Sequence, residues 1–340
     1  MSHHIPEYRI LINDKNVTDL FQGRLISLTL RDERGNKADQ LDISLDDSDG
    51  LLPLPEKKAI IKVWLGFKQS GPDNSNLTYK GSFVVDEISY SNQSSIDTLQ
   101  ITARSADFKG PLKVKREQSW HEITLGDLLK TIAARHKLTD RISPTLATKL
   151  IDHIDQTDES DISFLNRLAK RYDALTSIKD GNLLFTEIGN ATTVSGRPLP
   201  TLTIDKSETF SYIYQTQDRE GEYTGVQSYW NDKKYAKRNT VLAGTDENPK
   251  VLRNTYPSEQ QAIEAVRSEW KKINRHQARF SMEFAVGNPE AQPEMPVLLT
   301  GFKEQIIVQK WGIESINHRL TTKGFVGEIV LVNIYTSKHL

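Results

Sequence analysis

Apolar and polar residues alternate along much of this chain, and this period of two restricts the fold more than any other feature of the sequence. In the first third of the chain, six segments follow it: 8–12, 25–30, 41–45, 60–67, 83–90 and 98–103. Turn residues separate these segments, among them Asp49-Gly50 and the stretch 71–74. The pattern predicts a β barrel or sandwich over residues 1–110, with a boundary near Gly110-Pro111.

The period changes to that of a helix after this boundary. Leu125, Leu128 and Leu129 begin an apolar stripe that predicts a helix over 125–137, with Thr124 as its N-cap. A single face of a helix therefore packs against the rest of this segment.

A second helix is predicted to begin at Ser160, where Asp161 lies in the first turn and suits the helix dipole. Its apolar stripe consists of Phe164, Leu165, Leu168, Ala169 and Tyr172. Further on, Asp180-Gly181 is typical of the turn of a β hairpin. We therefore predict a small α/β domain over residues 111–200.

Strand patterns return after residue 200 and continue to the end of the chain. The predicted strands are 202–204, 210–215, 297–300, 306–309, 312–318 and 324–332. Between them lie a polar stretch, 217–254, and one long helix that begins with a capping box of Ser258 and Gln261. These features predict a second β domain with one long helix over residues 201–340.

Two short matches between the β regions indicate an internal duplication. Residues 63–68 (VWLGFK) align with 298–303 (LLTGFK), and residues 85–90 (VDEISY) align with 313–318 (IESINH). Strands that obey the same alternation produce such matches easily, so chance similarity is the alternative.

Composition excludes several classes of function. The 340 residues contain no cysteine, which rules out disulfides, iron–sulfur clusters, thiol nucleophiles and thiolate zinc sites. Lysine and arginine number 44 against 45 acidic residues, so no basic surplus points to nucleic acid or anionic lipid. No apolar stretch approaches the roughly 18 residues of a membrane span, and the N-terminus lacks the pattern of a signal peptide. We expect synthesis in the cytoplasm, no integral membrane segment and no sequence-specific nucleic-acid partner.

Motifs that carry chemistry are weak or absent. The sequence contains no Walker loop and no GxGxxG, HExxH or GxSxG motif. Asp47, Asp49 and Gly50 match part of an EF-hand loop, but Leu45 occupies the first ligand position, which favours a plain acidic turn over a calcium site. We predict no metal site, no cofactor and no catalytic residue.

Acidic and histidine side chains are the remaining candidates for chemistry. The pairs Asp152/Asp155 and Glu159/Asp161 could imitate the acid and base of a glycosidase. His3 and His4 lie at a terminus and imply no third metal ligand. Five further histidines show no spacing typical of a nucleophile and its base: His121, His136, His153, His276 and His318. Surface or packing roles are favoured for all of them.

One basic and aromatic cluster lies at 229–238. Its members are Tyr229, Trp230, Lys233, Lys234, Tyr235, Lys237 and Arg238. Cationic residues interleaved with aromatics are typical of surfaces that contact nucleic acid or another protein. Because the cluster is short and the chain is nearly neutral, a protein contact or a solvated face is favoured over DNA binding.

A series of motifs runs through the chain in a characteristic order. The opening part contains Asp49, Gly50, Trp64, Gly66 and Phe67 within the runs DDSDG and IKVWLGF. The helical part contains Trp120 ahead of TLGDLL, followed by Phe164, Leu165, Arg167 and Leu168 after ESD. The closing part contains His318, Gly324 and Phe325. In this order and spacing the chain resembles, over residues 5–335, the phage late control protein D family, and its helical part is also similar to VgrG spike proteins.

The resemblance implies an α+β, mainly β fold, with two tail-tube-like β-barrel or sandwich domains and the small α/β domain between them. It implies a structural baseplate hub of a contractile phage tail or a related injection particle, made in a bacterium. It further implies a homotrimer that joins a six-fold tail tube to a three-fold spike, with tube, baseplate and spike proteins as partners.

Two expectations remain beside that resemblance. VgrG proteins continue into a spike whereas this sequence stops at Leu340, so we expect the spike to be a separate polypeptide. A cell-wall polysaccharide hydrolase or binding module of a tail tip is the alternative function, since Glu159 and Asp161 of the middle domain would serve it.

Overall fold

The computed structural model describes residues 5–35, 38–68, 75–93, 96–105, 110–179, 181–189, 197–216, 223–232, 237–275 and 278–334. The chain is mainly β, as the sequence predicts. The first third contains β1 (Ile5–Ile12), β2 (Lys15–Asn16), α1 (Thr18–Phe21), β3 (Leu25–Glu33), β4 (Gln40–Asp46), β5 (Ile60–Lys68), β6 (Ser75–Gln93) and β7 (Ile96–Ser105).

The middle third combines strands of 4 to 11 residues with two amphipathic helices. Its elements are β8 (Lys115–Thr124), α2 (Leu125–Arg135), β9 (Thr139–Ile142), α3 (Pro144–Ala147), β10 (Leu150–Ser160), α4 (Asp161–Tyr172), β11 (Ala174–Lys179) and β12 (Asn182–Glu187). β8 pairs with β10, and β11 pairs with β12 as the predicted hairpin, although Asp180 of its turn lies outside the described residues.

The last third returns to long strands and includes the longest helix described. Its elements are β13 (Leu202–Asp205), β14 (Thr209–Thr216), β15 (Gly225–Asp232), β16 (Lys237–Gly244), β17 (Pro249–Tyr256), α5 (Glu259–Arg275), β18 (Ala278–Phe284), β19 (Pro296–Thr300), α6 (Glu304–Ile307), β20 (Trp311–Thr321) and β21 (Gly324–Asn333).

One large sheet runs through the first and last thirds of the chain. Its main path is β14-β18-β21-β20-β3-β4-β7-β6-β5-β1-β2, and β19 joins it by pairing with β20 and with β13. The two β regions are therefore joined edge to edge, through an antiparallel ladder between β20 and β3.

The same six-stranded unit occurs twice within this sheet. The first unit has the order β3-β4-β7-β6-β5-β1, and the second has the order β14-β18-β21-β20-β19-β13. The register shifts also correspond: one falls between Leu25 and Ser27 in β3 and between Thr209 and Ser211 in β14. The sixth strand differs, because β1 is antiparallel to β5 whereas β13 is parallel to β19. The strand order and register confirm the predicted duplication.

Only one of the two predicted sequence matches has the right register. β6 and β20 each contain a register shift, after Val85 and after Ile313, which confirms the alignment of 85–90 with 313–318. The alignment of 63–68 with 298–303 is wrong by one residue. Ile61 opposes Phe83 and Val297 opposes Trp311, so the equivalent positions of β5 and β19 differ by 236 and not by 235.

Buried residues form three large apolar clusters and one small one. The first lies in the opening unit, the second joins α2 and α4 to the middle strands, and the third lies in the closing unit. Leu320 and Phe325 of the closing unit pack into the first cluster, across the joint between the units. The domain boundaries near 110 and 200 stay a prediction.

Three local predictions differ from the structure. The strand expected at 306–309 is wrong, because Val308 N donates to Glu304 O and forms the short helix α6. The polar stretch 217–254 contains the three-stranded sheet β16-β15-β17, which packs on α5 through a small cluster that includes Val226 and Val266. The capping box before α5 is half formed: Ser258 Oγ accepts from Gln261 N, but the Gln261 side chain donates to Asp152.

The caps of the two middle helices follow the sequence more closely. Thr124 Oγ1 accepts from Asp127 N at 3.1 Å, and α2 ends two residues earlier than predicted, at Arg135. Ser160 is the N-cap of α4 and not its first residue, since its hydroxyl accepts from Ser163 N at 3.3 Å. Serine and threonine favour this position because their side chains satisfy an amide that the helix leaves free.

Candidate assembly interface

The joint between the two β units is both hydrogen-bonded and apolar. β20 and β3 pair from Ser315–Glu33 to Thr321–Ser27. Beside this ladder the Phe325 ring lies 5.4 Å from the Phe67 ring and 5.8 Å from the His318 ring, measured between centroids. Three of the family-motif residues, Phe67, His318 and Phe325, therefore meet at the joint.

His318 is completely buried at this joint. Burial lowers its pKa well below the usual range, and the nearby Lys80 ammonium lowers it further. Lys80 donates to the carbonyl oxygens of Pro289 at 2.7 Å and Ala291 at 3.1 Å, and burial lowers its own pKa to about 8. His318 therefore packs in the apolar joint beside Phe325, which agrees with the packing role that the sequence favoured.

A second polar group connects the joint to the middle third. Lys179 Nζ lies 3.1 Å from a carboxylate oxygen of Asp32 and 2.8 Å from one of Asp39. Burial and the neighbouring Asp32 raise the pKa of Asp39 to about 7, although Lys179 opposes the change. Burial would lower the pKa of Lys179, but Asp32 and Asp39 outweigh it and the net shift is upward. This group ties the β11–β12 hairpin to β3.

The acidic turn after β4 is filled by an arginine. The Arg24 guanidinium makes a bidentate hydrogen-bonded contact with the Asp49 carboxylate, and this contact lowers the pKa of Asp49. Asp47 is buried and accepts from Leu52 N at 2.8 Å, and Gly50 N donates to Asp47 O with Gly50 at φ +66°. Arg24 thus provides the positive charge that faces the carboxylates of this turn.

Two further motif residues, Trp64 and Gly66, lie on β5 and contact the neighbouring strand β6. The Trp64 ring lies 4.9 Å from the Tyr79 ring on the neighbouring strand. Gly66 lies so close to β6 that an added Cβ would be 1.9 Å from the carbonyl oxygen of Asn76, so no larger residue fits without moving the strand.

In the middle third, the motif residues form one cluster around α4. Phe164, Leu165 and Leu168 are completely buried, as predicted for this stripe. The Trp120 ring stacks on the Phe164 ring, with 6.5 Å between their centroids. The Arg167 guanidinium lies over the same Phe164 ring, 4.9 Å from its centroid. Gly324 lies apart from them, at the start of β21. That these positions are shared across the family stays a prediction.

Asp161, one of the candidate catalytic carboxylates, is engaged in ion pairs with two arginines. Asp161 is completely buried and accepts from Arg135 at 2.8 Å, from Gln156 at 2.8 Å and from Arg116 at 3.1 Å, with His136 Nε2 at 2.7 Å. Burial raises its pKa, but the hydrogen bonds outweigh burial and the net shift is downward.

The other carboxylates also have partners. Glu159 binds Arg167, and Asp155 contacts His153 Nε2 at 3.0 Å. The His153 and His121 rings face each other across β10 and β8, with their Nδ1 atoms 3.0 Å apart.

The described residues contain no group of three or more histidine and acidic side chains arranged to hold a metal ion. None of the helices in the described ranges is long and apolar enough to cross a membrane. Within the basic and aromatic cluster, the Arg238 guanidinium lies 3.7 Å from the centroid of the Tyr229 ring. His3, His4, His276, Lys233, Lys234 and Tyr235 lie outside the described residues.

The sequence did not reveal which strands are sheet edges. β14 ends the main path of the sheet and, among the described residues, pairs only with β18. Its apolar side chains are exposed, with 78% of Phe210, 60% of Ile213 and 42% of Tyr212 accessible. The strand itself was predicted, but only its pairing shows that this apolar edge is open.

The face of the sheet opposite the apolar clusters is polar. Across the β20–β3 joint, Asn317 opposes Arg31 and Arg319 opposes Thr29. Across β4 and β7, Thr102 donates to Asp42 at 2.8 Å. The same polar face therefore continues from one unit to the other, which suits a surface in contact with water.

Comparison with known proteins gives a consistent result. The family model described as "Phage tail baseplate hub (GPD)" matches residues 19–324. The "Probable baseplate hub protein" of Escherichia phage 186 is 38% identical over 94% of this chain and 91% of its own length. The protein of the same description in Escherichia phage P2 is 35% identical over 96% and 92%. A solved tail protein from Neisseria meningitidis MC58 has the same fold, with a TM-score of 0.70, 12% identity and 97% of both chains covered.

Proposed function

The chain belongs to the phage tail baseplate hub (GPD) family, a family of structural proteins and not of enzymes, and from this premise we propose that three copies form a ring. The ring joins a six-fold tail tube to a three-fold spike. Its place is the tail baseplate of the virion.

The duplicated six-stranded unit carries this proposal. Each chain contributes two units of the same strand order, joined edge to edge by β20 and β3. A closed ring of three such chains presents six similar units in succession. The ring can then match a six-fold partner through its units and a three-fold partner through its chains.

The polar face of the sheet supports a water-filled channel along the ring axis. Pairs such as Asn317–Arg31 and Asp42–Thr102 keep this face hydrophilic on both units. Curving the sheet with its apolar clusters outward would place these side chains toward the axis.

The proposed partners are the tail tube, other baseplate proteins and the spike. The alternative function, a cell-wall hydrolase, is not favoured, because Asp161 is buried among two arginines and Glu159 is paired with Arg167. Turnover of purified cell wall that is lost on Glu159→Gln would restore that alternative.

Light scattering after size-exclusion chromatography tests the ring. At micromolar concentration we expect a mass three times the 38.6 kDa of the chain. A monomer that persists when the tube and spike proteins are added contradicts the proposal. Labelled protein in assembled particles should be found at the tail tip, and its absence there also contradicts it.

A further inference from the structure

The open edge of β14 resembles a strand that lacks its partner. Its position in the closing unit is that of β3 in the opening unit, as the register shift after Thr209 and after Leu25 shows. β3 is paired on both sides, with β4 and with β20. β14 is paired on one side only within the described residues, and its apolar side chains Phe210 and Ile213 are exposed.

The second half of β6 is open in a complementary way. From Phe83 to Val85, β6 is flanked by β7 on one side and by β5 with the residue before it on the other, where Val85 N donates to Ala59 O at 2.9 Å. From Glu87 to Gln93 it pairs only with β7, in the part of the chain that the structure describes. Half of the Tyr90 surface is accessible there.

The closing unit contains a paired equivalent of residues 87–93 of β6. β20 is the counterpart of β6, and Ile313 N donates to Met295 O at 3.0 Å as Val85 N donates to Ala59 O. Beyond that point, β20 pairs with β3 from Ser315 to Thr321. The structure therefore contains one complete example of the joint and the two separate halves of a second.

We propose that β14 of one chain pairs antiparallel with residues 88–93 of β6 in a neighbouring copy, in the register of the β20–β3 joint. Transferring that register opposes Tyr90 with Tyr214, Ser91 with Ile213 and Ser89 with Gln215. The inference rests on the proposed ring, which it supplies with an interface between copies.

The chemistry of the two edges agrees with this pairing. Tyr90 and Tyr212 lie at positions whose counterparts, His318 and Leu28, are completely buried in the internal joint. A cross-strand Tyr90–Tyr214 pair would add aromatic contact of the kind that stabilises neighbouring strands. Each chain carries one copy of each half, so the contact is head to tail, and a head-to-tail contact forms a ring when the rotation between copies closes.

Cysteine cross-linking tests the register, because the natural chain has no cysteine. Ser91→Cys combined with Ile213→Cys places two thiols on directly opposed residues, within the distance that a disulfide spans. Six strands separate β14 from β6 within one chain, so a bond can form only between chains. Under oxidation we expect a covalent trimer on a non-reducing gel.

Ser89→Cys combined with Ser211→Cys is the matched control. These two residues lie on the same two strands, but residue 211 is four residues away from the one that opposes residue 89. The two thiols would therefore be about 13 Å apart along the strand. A cross-linked trimer from the control, or a trimer in light scattering that fails to cross-link through residues 91 and 213, overturns the register and leaves the ring intact. A parent chain that is monomeric in light scattering overturns the proposed ring itself.

Introducing charges at residues 91 and 213 gives a second test that needs no oxidation. Ser91→Asp with Ile213→Asp opposes two like charges and should shift the protein to monomer at micromolar concentration. Ser91→Asp with Ile213→Lys should keep the trimer. Equal behaviour of the two double variants contradicts direct opposition of these residues.

Discussion

At the scale of single residues, Asp161 is a buried charge with four polar partners. Its carboxylate is completely buried and balances Arg116 and Arg135 while also binding Gln156 and His136. The sequence predicted it as a negative charge in the first turn of a helix. It could not predict this network, because the partners come from β8, α2 and β10, which only the fold brings together.

Asp161→Asn is expected to lower the free energy of unfolding by about 3 kcal/mol, because it leaves two arginines without a countercharge at a buried site. Denaturant unfolding at one fixed protein concentration measures the change. Asp158→Asn is the matched control, since Asp158 pairs with Lys115 at the surface, where 70% of its side chain is exposed. Equal losses in the two variants would contradict a special role for Asp161.

The pH dependence of this site follows from the lowered pKa of Asp161. The folded-state pKa lies below the unfolded value of about 4, so the stabilisation is complete above that value and is lost as the pH falls through the folded pKa. The stability difference between the natural chain and Asp161→Asn should therefore be constant near pH 5 and shrink below about pH 4. A difference that grows on acidification would show the opposite sign of the shift.

At the scale of elements, Leu168 tests the packing of α4. It is completely buried, together with Phe164 and Leu165. Leu168→Ala is expected to cost roughly 2 to 5 kcal/mol of unfolding free energy by removing apolar contacts and leaving a cavity. Leu51→Ala is the control for the same chemical change at a site that is 70% exposed. A Leu168 variant as stable as the Leu51 variant would show that the helix is oriented differently.

Elements with a clear period and a cap were predictable from the sequence, and the others were not. α4 combines a continuous apolar stripe with the Ser160 cap, so both its extent and its buried face followed from pattern. α6 was mistaken for a strand because Ile306, Ile307 and Val308 form a short β-branched run, which does not distinguish a strand from one helical turn.

The duplication shows the limit of alternation as a signal. A slip of one residue, as in the match of 63–68 with 298–303, leaves the sequence similarity in place but exchanges the two faces of a strand. Only hydrogen bonding, such as Ile61 opposite Phe83 and Val297 opposite Trp311, fixes the equivalence. The open edge of β14 was hidden for the same reason, since alternation predicts a strand and says nothing about its neighbours.

At the scale of the whole molecule, partner binding should depend little on charge. The chain has a formal charge of −1, so it has no large excess of either charge with which to attract a partner. A complex with the candidate spike protein, obtained by co-expression, should therefore keep three copies of each chain in both low and high salt. Loss of the spike in high salt would indicate a charge-steered contact instead.

The ring itself gives the sharper test, because its proposed interface is uncharged. The opposed residues are Ser89, Tyr90, Ser91 and Asn92 on β6, and Gln215, Tyr214, Ile213 and Tyr212 on β14. Raising the ionic strength from 0.1 M to 1 M shortens the Debye length from about 10 Å to about 3 Å, which weakens ion pairs but leaves strand hydrogen bonds and apolar contacts. We expect the same trimer mass by light scattering at both salt concentrations, and dissociation at 1 M would mean that charged residues elsewhere hold the chains together.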